Sequence, residues 1–274
     1  MKIFRDVEKL RKWSLGQAKK GRRVALVPTM GYLHDGHMSL IDKAKKLKAD
    51  DIVVSIFVNP VQFGPNEDYA KYPRDEKRDL GKCRERGATA VFLPTPEMMY
   101  MADHSVYVNE EELSKGLCGA RRPGHFRGVC TVLAKLFNIV RPEFAVFGQK
   151  DYQQAQVVKR MVRDLNFGID IVVAPIVREE SGLALSSRNK YLTPEEKANA
   201  LAISKAIGSV EPGKSAAKER ARIAKALEKA SLTVDYVEFV DGATLKPVKK
   251  TAPGVCVLIA AFCGKTRLID NRVL

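Results

Sequence analysis

Two histidines, His34 and His37, stand three residues apart in the segment PTMGYLHDGHMSLI at 28–41, between and beside Gly31 and Gly36. The segment follows the apolar run VALV at 24–27 and leads into apolar residues at helical spacing, so the histidines fall where a buried strand becomes a helix. Glycines allow the backbone to approach a ligand closely. A helix start offers unpaired N–H groups and the positive end of its dipole to a phosphate. Imidazoles in that position can hydrogen-bond phosphate oxygens and stabilise the charge that develops when a phosphate is attacked. Two other uses of the same residues stay open: capping of the helix, and a metal pair with Asp35, although no third His or Cys appears at a useful spacing. The Walker pattern GxxxxGK[ST] is absent.

Further polar residues recur at the ends of other apolar runs. Lys150, in GQKDYQQ at 148–154, and Arg188, in LALSSRN at 183–189, are candidate fixed cations of the kind phosphoryl chemistry uses, with Ser186 and Ser187 beside the arginine. Either could equally be a solvated loop residue. Gln62 and Gln154 are amides able to bond a substrate's hydroxyl and carboxylate groups, or to face solvent, and Asn59 is similar. Asp151 could hold a ribose hydroxyl or Mg²⁺, or cap the helix that begins at 152. Together these loops describe a nucleotide phosphate gripped by two segments of the chain.

Such loops need a frame. Apolar, β-branched runs at 24–28, 51–60, 88–95, 143–148 and 169–179 read as strands. They alternate with helical patterns at 38–50, 75–87, 128–140 and 151–167. Continuously apolar strands alternating with helices predict a Rossmann-like α/β domain with a mostly parallel sheet, whose ligands bind beyond the carboxyl ends of its strands. After about residue 180 the texture changes. Helices are expected at 193–207, with Thr193 as N-cap and Pro194 at N1, and at 214–230. Antiparallel strands are expected at 233–241 and 254–270. The reading is a nucleotide- and acid-binding domain over 1–178 followed by a smaller α+β C-terminal domain over 179–274 that carries the LSSRN loop.

The composition narrows the class. The chain has 274 residues, and 45% hydrophobic content suits a globular protein. No apolar run approaches the ~20 residues of a membrane helix, and the first residues lack a signal peptide's apolar core. A cytoplasmic protein without membrane attachment is expected. Five cysteines without a CxxC pair argue against a disulfide framework or structural zinc. The net charge of +15 raises nucleic-acid binding as an alternative. However, the basic residues lie on helix faces with no interleaved aromatics, as at Lys43, Lys45, Lys46 and Lys48, so a field attracting small anionic substrates is expected and no nucleic-acid partner.

Taken in order, PTMGYLHDGH, FVNPVQF, YPR, RPGHFRGV, FGQKDYQQ, LSSRNKYL and RLIDN closely resemble the pantoate–β-alanine ligase family, a branch of the nucleotidyltransferase superfamily marked by a HIGH signature. The resemblance runs from about residue 22 to 192, and RLIDN at 267–271 extends it. It implies ATP as substrate with Mg²⁺, whose ligands the motifs do not identify, and pantoate and β-alanine as the molecules joined. The acid would be activated as pantoyl adenylate with release of pyrophosphate, and the amine would then displace AMP. It also implies a homodimer. By the family's pattern His37, His34, Lys150 and Arg188 are catalytic. Met30, Gly31, Tyr32, Leu33, His34, Asp35, Gly36 and His37 line the ATP site with Gly148, Gln149, Lys150, Asp151, Val177, Leu185, Ser186, Ser187 and Arg188. Gln62 and Gln154 hold pantoate, with Met30, Val129, Val132 and Phe147 as an apolar wall, and Gln62 also faces β-alanine. Within the superfamily, a nucleotidyltransferase acting on a phosphorylated substrate is the alternative. Ser181 and Cys118 depart from the family's usual aspartate and glutamate.

Overall fold

The computed structural model describes residues 1–65 and 67–274, and the chain divides into two compact units. The first comprises Met1–Gly148 and Gln153–Ala174; the second comprises Gln149–Tyr152 and Pro175–Leu274.

In the first unit the described residues form a six-stranded, fully parallel sheet. Its strands are β1 (Lys2–Phe4), β2 (Val24–Thr29), β3 (Asp51–Ile56), β4 (Ala90–Phe92), β5 (Phe144–Gly148) and β6 (Asp170–Ala174), in the order β1-β4-β3-β2-β5-β6. The helices α1 (Val7–Lys19), α2 (Asp35–Lys46), α3 (Glu76–Glu85), α4 (Pro96–Met99), α5 (Leu117–Arg121), α6 (His125–Val140) and α7 (Tyr152–Asp164) connect them. Val24, Ala25, Leu26 and Val27 are all buried, as expected of a parallel strand covered on both faces. Leu40, Ile41 and Ala44 of α2 pack with Ala25, Val27 and Val54 in one core. β2 lies between β3 and β5, and the strand order reverses there. The carboxyl ends of β2 and β5 are therefore a topological switch point, where open α/β sheets bind ligands.

The expected fold class is observed, with revised element bounds. The short edge strand β1 is an addition: its three residues are too few to carry a period, and pairing with β4 defines it. The helix expected at 38–50 begins instead at Asp35, which brings both histidines onto its first turn. The helix expected at 128–140 begins at His125, because Gly124 supplies a left-handed start with φ of 79°.

The second unit carries α8 (Pro194–Gly208) and α9 (Ala216–Lys229) against an antiparallel sheet of β7 (Leu232–Asp241), β8 (Val255–Cys263) and β9 (Thr266–Val273). Ile203, Ile207, Ile223 and Leu227 from the helices meet Phe239, Val257 and Ile259 from the sheet. Thr193 caps α8 as expected: its hydroxyl accepts the Glu196 N–H at 3.2 Å, and Glu196 accepts the Thr193 N–H at 2.8 Å. The apolar segment at 254–270 is a hairpin rather than one strand, turning at Gly264 and Lys265.

Candidate active site

The loop between β2 and α2 is held from three sides. Thr29 donates its hydroxyl to the Ser55 carbonyl at 2.8 Å and accepts the Gly31 N–H at 3.2 Å. Gly31 has φ of +85°, and a Cβ there would stand 2.9 Å from Ile56 Cγ2 and 3.1 Å from Asp79 Oδ2, so both conformation and space require glycine. Asp79 of α3 then accepts the N–H groups of Tyr32 at 2.7 Å and Leu33 at 2.8 Å. Its carboxylate is only 1% exposed. Burial pushes it above the ordinary aspartate value, and the two N–H bonds oppose that rise. The Arg78 guanidinium lies 4.9 Å over the Tyr32 ring.

His34 is the N-cap of α2 and His37 occupies its third helical position. The His34 N–H points to His37 Nδ1 at 3.3 Å, and the two rings are 4.0 Å apart between centroids. Capping and ligand binding are therefore compatible here. Because Nδ1 accepts, neutral His37 carries its proton on Nε2 and is a hydrogen-bond donor there.

Gln62 closes a single 3₁₀ turn, Pro60–Gln62, after β3, and is 7% exposed. Asn59 Nδ2 donates to Gln62 Oε1 at 3.0 Å and to the Gly128 carbonyl at 3.1 Å. Tyr100 donates its hydroxyl to Asn59 Oδ1 at 2.7 Å, which fixes the orientation of the Asn59 amide. With its oxygen engaged, Gln62 presents its NH₂, which lies 3.2 Å from Met30 Sδ. Asn59, read from sequence as a substrate amide or a solvated one, is buried and orients Gln62. His125 Nδ1 donates to the Gln62 carbonyl at 2.9 Å while Arg122 donates to its Nε2 at 2.9 Å. Arg122 also pairs with Glu67 at 2.5 Å. Residue 66 of this loop lies outside the described residues. α6 approaches closely: a Cβ on Gly128 would stand 2.5 Å from Gln62 Cα and from the Val61 carbonyl oxygen.

Val129, Val132 and Phe147 are buried, and Met30 is half-buried. Of the two adjacent glutamines on α7, Gln153 is committed to structure: it accepts the Cys118 N–H at 2.9 Å and donates to the Leu113 and Gly116 carbonyls, both at 2.8 Å. Gln154 is half-buried one residue on.

In the second unit, Gln149, Lys150 and Asp151 form one 3₁₀ turn, and Lys150 Nζ lies 3.9 Å from the Asp151 carboxylate. Val177 accepts the Leu185 N–H at 3.0 Å, closing a narrow hairpin that delivers Ser186 to Arg188. Ser186 caps the following turn by accepting the Arg188 N–H at 3.2 Å. Asn189 is buried and donates to Glu179 at 2.8 Å and to the Ala184 carbonyl at 3.0 Å.

The sequence motifs assign no role to Asp79, Tyr100 or Asn271. Asp79 had a signal: it shares the buried face of α3 with Cys83, four residues on, and a carboxylate on that stripe needs a polar partner.

A parallel sheet with a glycine loop and paired histidines at its switch point defines an α/β protein of the ligand-binding kind. The family model for pantoate-beta-alanine ligase matches residues 2–273. Pantothenate synthetase from Moorella thermoacetica is 51% identical, covering 100% of this chain and 99% of that protein; the one from Clostridium novyi is 52% identical, covering 93% and 92%. The crystal structure of pantothenate synthetase from Thermus thermophilus superposes with a TM-score of 0.92 at 42% identity, covering 100% and 99%. The ligase from Francisella tularensis, described in complex with beta-gamma ATP and beta-alanine, gives 0.83 at 33% identity, covering 100% and 97%. The chain belongs to the pantoate–β-alanine ligase family and is a ligase.

Proposed function

We propose that the enzyme condenses pantoate with β-alanine at the expense of ATP, through a pantoyl adenylate. A carboxylate has no useful leaving group at neutral pH. Attack of its oxygen on the α-phosphorus of ATP forms a mixed anhydride and breaks the bond to the departing pyrophosphate. The uncharged amine of β-alanine then attacks the acyl carbon, forming the amide, releasing AMP and losing a proton to solvent.

The residues support this division of labour. We assign His34 and His37 to the nucleotide phosphates, with Met30 to His37 contributing backbone, and Lys150 and Arg188 to the developing phosphate charge. Gly148, Gln149, Asp151, Val177, Leu185, Ser186 and Ser187 complete the nucleotide contacts. The NH₂ of Gln62 suits an acid's carboxylate or hydroxyl oxygen, Gln154 suits the same molecule, and Val129, Val132, Phe147 and Met30 suit its dimethyl carbon. Gln62 also serves β-alanine. ATP enters as its Mg²⁺ complex. Among the described residues no three His, Cys, Asp or Glu side chains converge on one point. The reading extends to a cytoplasmic homodimer.

The observation that carries the proposal is the His37 hydrogen bond: with Nδ1 accepting the His34 N–H, the neutral ring is a donor at Nε2, as a phosphate oxygen requires. Mass spectrometry of products tests it, with ATP, Mg²⁺, pantoate and β-alanine each omitted in turn. Pantothenate and AMP requiring every substrate, and pantoyl adenylate accumulating without β-alanine, are the expected results. Absence of AMP from every mixture overturns the proposal.

A further inference from the structure

The motif RLIDN, at 267–271, lies on β9 and brings no residue to the substrates assigned above. Its last two residues are nevertheless buried and polar: Asp270 is 4% exposed and Asn271 is 1% exposed. Burying such groups is costly unless each is hydrogen-bonded.

Asn271 spends its whole carboxamide on the turn that holds Lys150. Its Nδ2 donates to the Gln149 and Lys150 carbonyls, both at 2.9 Å, and its Oδ1 accepts from Gln149 Nε2 at 3.2 Å. Asp270 faces a different segment. Its two carboxylate oxygens receive Arg178 Nη1 at 2.7 Å and Nη2 at 3.0 Å, and one of them also accepts the Asn271 N–H at 2.8 Å. Arg178 Nη1 reaches on to the Gly182 carbonyl at 3.1 Å, and Arg178 pairs through its backbone with Ala184. Arg178 thus braces the narrow hairpin that leads into Ser186–Arg188.

We propose that Asp270 and Asn271 are positioning residues that fasten the Lys150 turn and the Ser186–Arg188 loop to one strand, so that both cations meet a nucleotide in a preset geometry. The inference rests on the assignment of Lys150 and Arg188 to phosphate. Side-by-side strand residues point to opposite faces, which lets one dipeptide serve two loops. Holding charged groups in place before the reaction removes the cost of arranging them during it.

Steady-state kinetics of Asn271→Ala and Asn271→Asp test this. Asn271→Asp keeps the shape but removes both donated hydrogens, and it serves if the alanine variant fails to fold, as checked by circular dichroism. kcat/KM for ATP is expected to fall about tenfold or more, with KM for pantoate and β-alanine unchanged. Lys150→Ala lowers kcat/KM for ATP likewise, and adding Asn271→Ala to it produces no further fall. Unchanged kcat/KM for ATP, or additive effects in the double variant, reduces Asn271 to general stability and overturns the inference. If Lys150→Ala itself leaves kcat/KM for ATP untouched, the phosphate assignment fails first, and the anchor has nothing to position.

Discussion

The Asp79 carboxylate accepts the Leu33 N–H at 2.8 Å across 46 residues of sequence, with the Tyr32 N–H on its other oxygen at 2.7 Å. A buried acid on one helix thereby sets the backbone entering another, one residue before the histidine pair.

Asp79→Asn is expected to loosen that loop, since an amide offers one acceptor and turns its NH₂ toward the second N–H. KM for ATP should rise about tenfold, read by steady-state kinetics. The variant also changes the pH dependence of stability. Burial raises the Asp79 carboxyl above its ordinary 3.8, so the folded state holds this proton more tightly than the unfolded chain. The stabilisation from this group is complete below the unfolded value and is lost as pH rises through the folded one. Thermal melts from acid to neutral pH should show the Tm of the wild type, relative to Asp79→Asn, falling across that window. A flat difference would exclude the effect.

His37→Gln should keep far more activity than His37→Ala. Glutamine at the third position of a helix accepts the N-cap N–H with its oxygen, as in a capping box, and leaves its NH₂ as a donor. Alanine loses both, with about 1 kcal/mol of stability. Equal kcat in the two variants would mean that His37 acts through proton transfer or ring chemistry instead.

Tyr100→Phe removes the hydroxyl that fixes Asn59 and, through it, Gln62. Loss of one hydrogen bond of about 0.5–1.5 kcal/mol corresponds to a rise of roughly two- to tenfold in KM for pantoate, with KM for ATP unmoved. A change in KM for ATP instead would place the relay elsewhere.

Gly128→Ala forces a methyl to within 2.5 Å of Gln62 Cα and the Val61 carbonyl oxygen, both backbone atoms that cannot swing aside. Overpacking of this kind costs about 1–3 kcal/mol and should displace Gln62, lowering the melting temperature and raising KM for pantoate together.

The sheet was legible because β2 and β3 carry the apolar stretches VALV and IVV between polar loops, and the histidine pair because it sits at such a boundary. β1 was not, since three residues carry no period. The charged sequence of α3 reads as a surface helix, yet its Asp79 is interior. Its reason for being there is a loop 46 residues away, and local spacing cannot encode such a partner. Tyr100, 41 residues from Asn59, and Asn271, 121 from Lys150, are hidden the same way. Residues that would touch substrate lie in short motifs; the residues that aim them are found only by folding the chain.

The bond from Asn271 to the Lys150 carbonyl also imposes a timetable on synthesis. A ribosome adding about 5–20 residues per second needs roughly 6–24 s to cover the 121 residues between them. Throughout that interval the nascent chain can complete the sheet around the histidine loop while the lysine turn has no clamp. Until β9 emerges, the growing polypeptide carries its Lys150 turn without the strand that fastens it.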